Sequence, residues 1–240
     1  MTNDNHRNQR GFTIIEMMLS MIFISFLLLA IAMIIVHVGN IYNKGMTLKE
    51  VNQASRLIES DISRSMRESG SFSMTSNYRP VSGVGGRLCL DKYSYLWNYE
   101  AAIQSGNSGV ITYASGGSLS GRPIHLVKVP DSSGAYCARS GSSFVLGDVR
   151  VADQAEAVEL LKGGDKMLSI HRLSLQTNAA GTNSLTGQQL YRLSYTIGTG
   201  DIAALNSTRT ACRVPSDAAA NFNFCSVQQF DLVIRTGNGI

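Results

Sequence analysis

Residues 11–38 read GFTIIEMMLSMIFISFLLLAIAMIIVHV, and this stretch decides the fold of the chain. Its central part, residues 17–36, carries no charged side chain. Twenty helical residues rise about 30 Å, which is the thickness of the hydrocarbon core of a bilayer. Because the core helix of a soluble domain is rarely apolar on every face, the stretch predicts a transmembrane helix over residues 14–38.

The segment ahead of the apolar stretch is polar and carries Arg7 and Arg10. A basic N-terminus before a first apolar helix is normally retained in the cytoplasm. We therefore expect a single-pass protein of the inner (cytoplasmic) membrane, with most of the chain on its outer side.

Three kinds of N-terminal segment fit this arrangement. A cleaved signal peptide is supported by the A-x-A triplet at residues 30–32, although the apolar run continues past it to Val36. An uncleaved signal anchor fits the length of the run. Neither has a use for Glu16, since a carboxylate inside an apolar segment costs about 2.5–3.5 kcal/mol on insertion scales. A leader that is cut ahead of the apolar stretch would explain this acid, because the first helical turn recovers part of its cost.

The sequence RGFTIIE at residues 10–16 resembles the processing site of the type IV pilins and type II secretion pseudopilins. The resemblance implies that residues 1–11 are a leader peptide, that a prepilin peptidase cuts between Gly11 and Phe12, and that the new N-terminus at Phe12 is methylated. It also implies that Glu16 pairs with the terminal amine of a neighbouring subunit. Two ions that are each costly in a low-dielectric medium are tolerated together.

The helix is expected to continue from Phe12 to about Ser69, because no proline occurs before Pro80. Beyond the membrane stretch, apolar residues recur every three or four positions, which predicts an amphipathic half that packs under a head domain. They are Leu48, Val51, Ala54, Ile58, Ile62 and Met66. On the opposite face, Asp61 and Arg64 are spaced to form an i,i+3 pair.

The end of this helix, residues 57–67, is similar to the same region of W-type minor pilins and J-type minor pseudopilins. Those subunits belong to a priming complex at the filament tip. The tip-most subunit of the complex typically lacks the glutamate at mature position five, so Glu16 argues against that slot. We expect a structural minor pilin or minor pseudopilin, incorporated into a type IV pilus-like filament in its initiation or tip complex.

Residues 70–240 differ in pattern from the helix. They consist of short runs of alternating apolar and polar residues separated by glycine and serine, which predicts a β-rich globular head. The fold class is therefore α+β. The expected strands are 87–99, 110–114, 124–129, 135–139, 144–151, 167–176, 189–197 and 227–236, with a short helix over 155–162.

Four cysteines, Cys89, Cys137, Cys212 and Cys225, all lie in the head. Four buried free thiols would suit a cytosolic protein, whereas an exported head favours two disulfides, with three possible pairings. A Cys212–Cys225 bond closes a short loop and is worth about 3 kcal/mol in the chain-entropy model. We expect that bond, and Cys89–Cys137 as the second.

We expect no metal, no cofactor and no enzymatic activity. The glycine-rich residues 82–87 lack the flanking elements of a phosphate-binding loop, and His125 and His171 are isolated. Asp131 begins a turn that lacks the repeated acids of a strong calcium loop. A third hypothesis, an anchored exported enzyme, thus has no set of catalytic residues in the sequence to support it.

The partners that the resemblance implies are other pilin or pseudopilin subunits, the prepilin peptidase, an inner-membrane assembly platform and, before assembly, membrane lipid. The alternative function is a binding module, an adhesin or DNA-uptake receptor, displayed on the filament. Its candidate basic residues are Arg172, Arg192, Arg209, Arg213 and Arg235.

Overall fold

The structure is a computed structural model that describes residues 12–161, 167–177, 187–218, 220–221 and 223–237. The predicted leader, residues 1–11, lies outside the described residues, and so does Lys162 at the end of the predicted short helix. The chain separates into two compact units, one that ends at Asn43 and one that begins at Lys44.

A long helix, α1, runs over Ile14–Glu68. Residues 12–39 are exposed without exception. In the second unit, one stripe of the helix is buried by the head, as the spacing predicts. The buried residues are Thr47, Val51, Ser55, Ile58, Ile62, Ser65 and Met66. The prediction was wrong for Leu48, which is 39% exposed, because its neighbour Thr47 takes the buried position instead.

A five-stranded antiparallel sheet forms one half of the head. Its strands are β1 (Tyr78–Val81), β2 (Gly85–Cys89), β3 (Tyr93–Asn98), β4 (Leu126–Pro130) and β7 (Val158–Glu159), adjacent in the order β1-β2-β3-β4-β7. Two short helices border it, α2 (Met74–Asn77) and α3 (Glu100–Gln104). A separate small ladder joins β5 (Arg139–Ser140) to β6 (Ser143–Phe144).

A three-stranded antiparallel sheet forms the other half, with β9 (Leu190–Thr199) between β8 (Leu168–Thr177) and β10 (Val227–Arg235). The predicted strands 167–176, 189–197 and 227–236 are confirmed with small shifts at their ends. The register of β8 on β9 shifts between Ile170 and Arg172, so His171 is a bulge residue. The bulge moves the apolar face from Leu168 and Ile170 to Leu173 and Leu175, which is why the alternation in this strand is incomplete.

Side chains alternate across the five-stranded sheet and so build two cores. Tyr95 and Trp97 point into the core shared with α1 and the three-stranded sheet, whereas Leu96 lies in a second core on the opposite face. The second core is closed by the loops between residues 105 and 157, including Tyr136. The fold is therefore α+β, with the C-terminal half of the long helix packed against an antiparallel β-rich head.

The single strand predicted over 87–99 is wrong, because residues 90–92 turn the chain and divide it into β2 and β3. The strand over 124–129 is confirmed as β4. The short helix over 155–162 is wrong within the described residues, since the chain turns at 154–156 and pairs with β4 through β7.

Three further strand predictions are largely wrong. Residues 110–114 make only isolated bridges at Thr112 and Tyr113. Residues 135–139 form a 3-10 turn over Ala135–Cys137, and residues 144–151 contribute one residue to β6 and then run as a loop. Ile111, Tyr136 and Val149 in these stretches are buried, but side-chain hydrogen bonds, rather than a sheet ladder, fix this part of the chain.

Both expected disulfides are present, Cys89–Cys137 and Cys212–Cys225. The first fastens the 3-10 turn Ala135–Cys137 to the end of β2. The second closes the loop that precedes β10 and lies in a small apolar cluster with Ala204 and Leu205.

Candidate functional site

The first turn of α1 is a capping box. The N–H and the Oγ1 of Thr13 both donate to Glu16 Oε2 at 2.9 Å, and the Glu16 N–H donates to Thr13 Oγ1 at 3.3 Å. This reciprocal pattern satisfies two of the free donors at a helix start. The spacing T-x-x-E at residues 13–16 is the signal for this box; the sequence placed Glu16 in the first helical turn, but Thr13 was not recognised as its partner.

The geometry leaves the Glu16 carboxylate exposed and oriented. One oxygen, Oε2, is held by Thr13, while Oε1 has no hydrogen-bond partner among the described residues. Phe12, the expected first mature residue, is 82% exposed beside it. Gly11 lies outside the described residues. A carboxylate at a helix start that is held through one oxygen can bind a cation from outside the chain through the other.

The surface that follows this turn is apolar on every side. Each leucine, isoleucine, phenylalanine and methionine between Phe12 and Ile35 is exposed. Burying each such side chain away from water would stabilise the protein by about 1.5–3 kcal/mol. Among the described residues, α1 is a helix long and apolar enough to cross a membrane.

Asp61 joins the second half of α1 to the five-stranded sheet. Its carboxylate accepts from Tyr95 Oη at 2.5 Å and from Lys128 Nζ at 3.1 Å. Tyr95 Oη also lies 2.7 Å from Ser65 Oγ, and Lys128 Nζ lies 4.1 Å from the ring centre of Tyr93. The predicted i,i+3 pair of Asp61 with Arg64 is therefore wrong, because the head supplies stronger partners that are partly shielded from water.

Lys44 joins the start of the second unit to the loop of the second disulfide. Its Nζ donates to the backbone carbonyl of Cys225 at 2.7 Å, and burial lowers the pKa of Lys44. The Cys212–Cys225 disulfide thus fixes the position of the Cys225 carbonyl, and this carbonyl binds α1 through Lys44, next to Gly45.

A buried polar network links the two sheets through Glu100. Its carboxylate accepts from Ser169 Oγ at 2.5 Å and from Gln104 Nε2 at 2.9 Å, and lies 3.5 Å from His125 Nδ1. Ser169 donates to this carboxylate and not to the histidine ring, and it is fully buried. The arrangement is therefore not one in which the histidine takes the proton of an accessible serine.

The pKa values in this network follow from burial and contact. Burial raises the pKa of Glu100, but the nearby His125 ring and the hydrogen bonds from Ser169 and Gln104 outweigh it and hold that pKa below its ordinary value. Contact with Glu100 raises the pKa of His125, although burial opposes it. Burial raises the pKa of Glu159, a second carboxylate that acts on His125. His125 thus lies near two carboxyl groups, and its raised pKa favours the charged form of the ring.

The other motifs have local roles. Residues 82–87 form the β1–β2 turn, with Gly83 at a φ of 72°, and the start of β2. Asp131 accepts four hydrogen bonds, from Ser94, Ser133 and the N–H groups of Ala135 and Tyr136, so its carboxylate organises a turn. His171 contacts the Thr199 carbonyl at 3.1 Å, and its Nδ1 has no partner among the described residues.

The five candidate basic residues do not form one patch of free charge. Arg192 pairs with Asp231 at 3.2 Å, and Arg213 pairs with Asp217 at 2.9 Å. Arg172 and Arg235 lie on the outer strands of the three-stranded sheet, on either side of the strand that carries Arg192. Sequence reasoning missed a tighter arginine group, Arg79, Arg87 and Arg139, because only the β1–β2 pairing and the β5–β6 ladder bring these residues together.

Comparisons of the chain with known protein families, with curated proteins and with solved structures find no match to any of them.

Proposed function

We propose that the chain is a prepilin-like subunit that is cut after Gly11 and built through its N-terminal helix into a type IV pilus-like filament. The observation that carries the proposal is the exposed apolar half of α1 with one oriented carboxylate, Glu16, in its first turn. A signal peptide or a plain anchor gives that acid no role.

In this proposal, the apolar surface of residues 14–38 lies in the membrane before assembly and against neighbouring subunits afterwards. The Glu16 carboxylate accepts the terminal amine of Phe12 from an adjacent subunit. Since Thr13 already holds Oε2, little side-chain entropy is lost when the amine arrives. The pairing sets the axial position of each subunit.

We further propose that the chain is a minor subunit of the initiation or tip complex. The resemblance of residues 57–67 to W-type minor pilins and J-type minor pseudopilins supports this placement. Asp61 in that stretch has a structural use, because it fastens the helix to Tyr95 and Lys128 of the head. The large head also supports a scarce subunit, since many such heads are hard to pack densely.

A second candidate function is a binding module displayed on the filament. The observation that favours it is a pocket in the head that is lined by Arg87 and Arg139. The two functions are compatible, because the pocket lies in the head and the assembly residues lie in the first turn of α1.

The test separates amine pairing from helix capping. Glu16→Gln keeps a side chain that can complete a capping box but removes the charge. Losing one member of a buried ion pair costs about 3–5 kcal/mol. We therefore expect normal amounts of the variant in the membrane but at least about tenfold less in sheared filaments, measured by immunoblot.

The matched control is Ser20→Ala. Ser20 is an exposed polar residue of the same helix, and its hydroxyl donates a hydrogen bond to the nearby Met17 carbonyl. It should enter filaments like the natural chain. Incorporation of Glu16→Gln at the control level would reduce Glu16 to a capping residue and contradict the proposed assembly contact.

A further inference from the structure

Three arginines meet at one corner of the head. Arg79 on β1 is directly opposite Arg87 on β2. Directly opposite residues of an antiparallel pair share a face, with Cβ atoms about 4.5–5.5 Å apart. The ring of Phe144 links Arg87 to Arg139, since their Cζ atoms lie 3.9 Å and 4.6 Å from its centre. Like charges in such an arrangement repel one another unless an anion is present.

Arg87 is the buried member of this group, with 3% of its surface exposed. Its Nη1 donates to the carbonyls of Tyr136 at 2.7 Å and Leu146 at 2.5 Å, and its Nη2 donates to the Gly147 carbonyl at 2.9 Å. Its Nε–H has no acceptor among the described residues. One Nη2 hydrogen also remains, so a guanidinium edge is left that matches a carboxylate.

The described part of the chain supplies no carboxylate in contact with these three arginines. The acid whose charge acts on Arg87 is Asp148, and its Oδ1 accepts from the N–H and the hydroxyl of Thr112 at 2.9 Å and 3.0 Å. Burial lowers the pKa of Arg87 to about 10, which leaves it charged at neutral pH. A buried cation of this kind normally has an anionic partner.

Two adjoining pockets give access to this charge. The first, of about 220 Å³, is lined by Arg87, Arg139 and Phe144 together with apolar side chains that include Val84 and Ile111. The second, of about 280 Å³, is lined by Arg79 and Arg139. Arg139 is thus shared by both pockets. We name Arg79, Arg87, Arg139 and Phe144, with the two pockets, the arginine cleft.

The volume of the cleft and the residues that line it indicate which kind of ligand it can bind. A carboxylate on a short aliphatic stem presents its charge to arginine and its methylene groups to the apolar wall. Each of the two pockets is smaller than the roughly 300–1,000 Å³ that is typical of small-molecule sites, which favours one side chain in each pocket over a nucleotide with its sugar and base. Two pockets that share one arginine suit two neighbouring acidic side chains.

We propose that the arginine cleft binds carboxylates and that its ligand is an acidic peptide segment of a partner protein. The segment places one Asp or Glu side chain against Arg87 and Arg139 and a second against Arg79 and Arg139. The proposal rests on the head alone and does not depend on processing at Gly11.

The test is titration calorimetry on the full chain in detergent micelles. The probe is acetyl-Gly-Glu-Glu-Gly-amide, and its counterpart with both glutamates replaced by glutamine is the negative control. Glutarate, inorganic phosphate and a short oligothymidylate distinguish the other sources of negative charge. Arg139→Gln changes an exposed side chain, and its matched control is Arg56→Gln, at an exposed arginine of α1 that lines neither pocket.

We expect the acidic peptide to bind, its glutamine counterpart not to bind, and Arg139→Gln to weaken the affinity about tenfold or more, since charge-assisted pairs dominate such sites. Arg56→Gln should leave the affinity unchanged. An unshifted melting temperature of Arg139→Gln shows that the head is intact, and Arg79→Gln supplies an independent variant with the same expected loss.

Three results would overturn the proposal. Equal affinity of the natural chain and both cleft variants would place any binding elsewhere. Tighter binding of glutarate than of the peptide would make the ligand a free acid. Tighter binding of oligothymidylate or phosphate would make it a phosphate.

Discussion

The two halves of α1 share one continuous helix but differ in what covers them. Residues 12–39 are exposed and apolar on every side, whereas the part from Lys44 to Glu68 buries one stripe against the head. The second half gains its stability from packing within its own chain. The first half is covered by none of the described residues, so its apolar side chains would gain free energy from any apolar surrounding. The difference shows that the contact between the head and the helix ends near Lys44.

The largest expected effect tests the buried stripe. Ile58 is fully buried, while its neighbour Leu57 is 51% exposed. Ile58→Ala should lower the free energy of unfolding of the head by about 2–5 kcal/mol, because it leaves a cavity between the helix and both sheets. Leu57→Ala should change it by no more than about 0.5 kcal/mol. Urea unfolding followed by the fluorescence of Trp97, the one tryptophan of the chain, measures both.

Equal effects of these two substitutions would contradict the division of the helix into a covered and an open face. A reversed order would mean that the helix is rotated against the head.

A smaller effect sharpens the polar part of the same contact. Asp61→Ala leaves Tyr95 and Lys128 without their carboxylate, so it should destabilise the head by about 1–3 kcal/mol. Arg64→Ala removes an exposed side chain of the same turn and should cost at most about 0.5 kcal/mol. The measurement is again urea unfolding. A larger loss for Arg64→Ala would restore the i,i+3 pair that the sequence suggested.

The smallest expected effect is the pH dependence of the link between the two sheets. The pKa of His125 is raised by Glu100, so the folded head holds this proton more tightly than the unfolded chain. The stabilisation by the charged ring is fully present below the ordinary histidine pKa of 6.5, and it is lost as the pH rises through the folded value. Glu100 acts in the opposite sense, because its lowered pKa gives stability above its ordinary value of 4.5 that is lost on acidification.

The check is the free energy of unfolding of the natural chain minus that of His125→Gln, measured between pH 5.5 and pH 8.5. We expect this difference to shrink as the pH rises. Glu159, whose raised pKa favours its neutral form at low pH, is present in both chains and contributes to each. A difference that grows with pH would show that His125 is held neutral.

The sequence was informative where a pattern is long. The helix is predicted from its apolar run and from the stripe after it, and β8, β9 and β10 are each nine or ten residues long, which makes them recognisable even though the alternation of β8 is incomplete. The His171 bulge could not be predicted, because it appears only when β8 is aligned with β9. The disulfides were predicted because Cys212 and Cys225 are close in the sequence and leave one remaining pair.

Prediction failed where structure depends on distant side chains. The region between β3 and β7 is fixed by contacts such as Arg87 with three backbone carbonyls and Asp131 with its turn, and no local pattern encodes these. The same reason hid the partners of Asp61 and the arginine cleft. At the helix start the information was local, since Thr13 and Glu16 form a capping box that the T-x-x-E spacing predicts.

The central claim is that the chain is cut after Gly11 and assembled through the first turn of its helix. The most direct test is the intact mass and N-terminal sequence of the chain isolated from membranes of cells that contain a prepilin peptidase. We expect a mature chain that begins with methylated Phe12. A chain that begins at Met1, or at a residue after the apolar stretch, would contradict it.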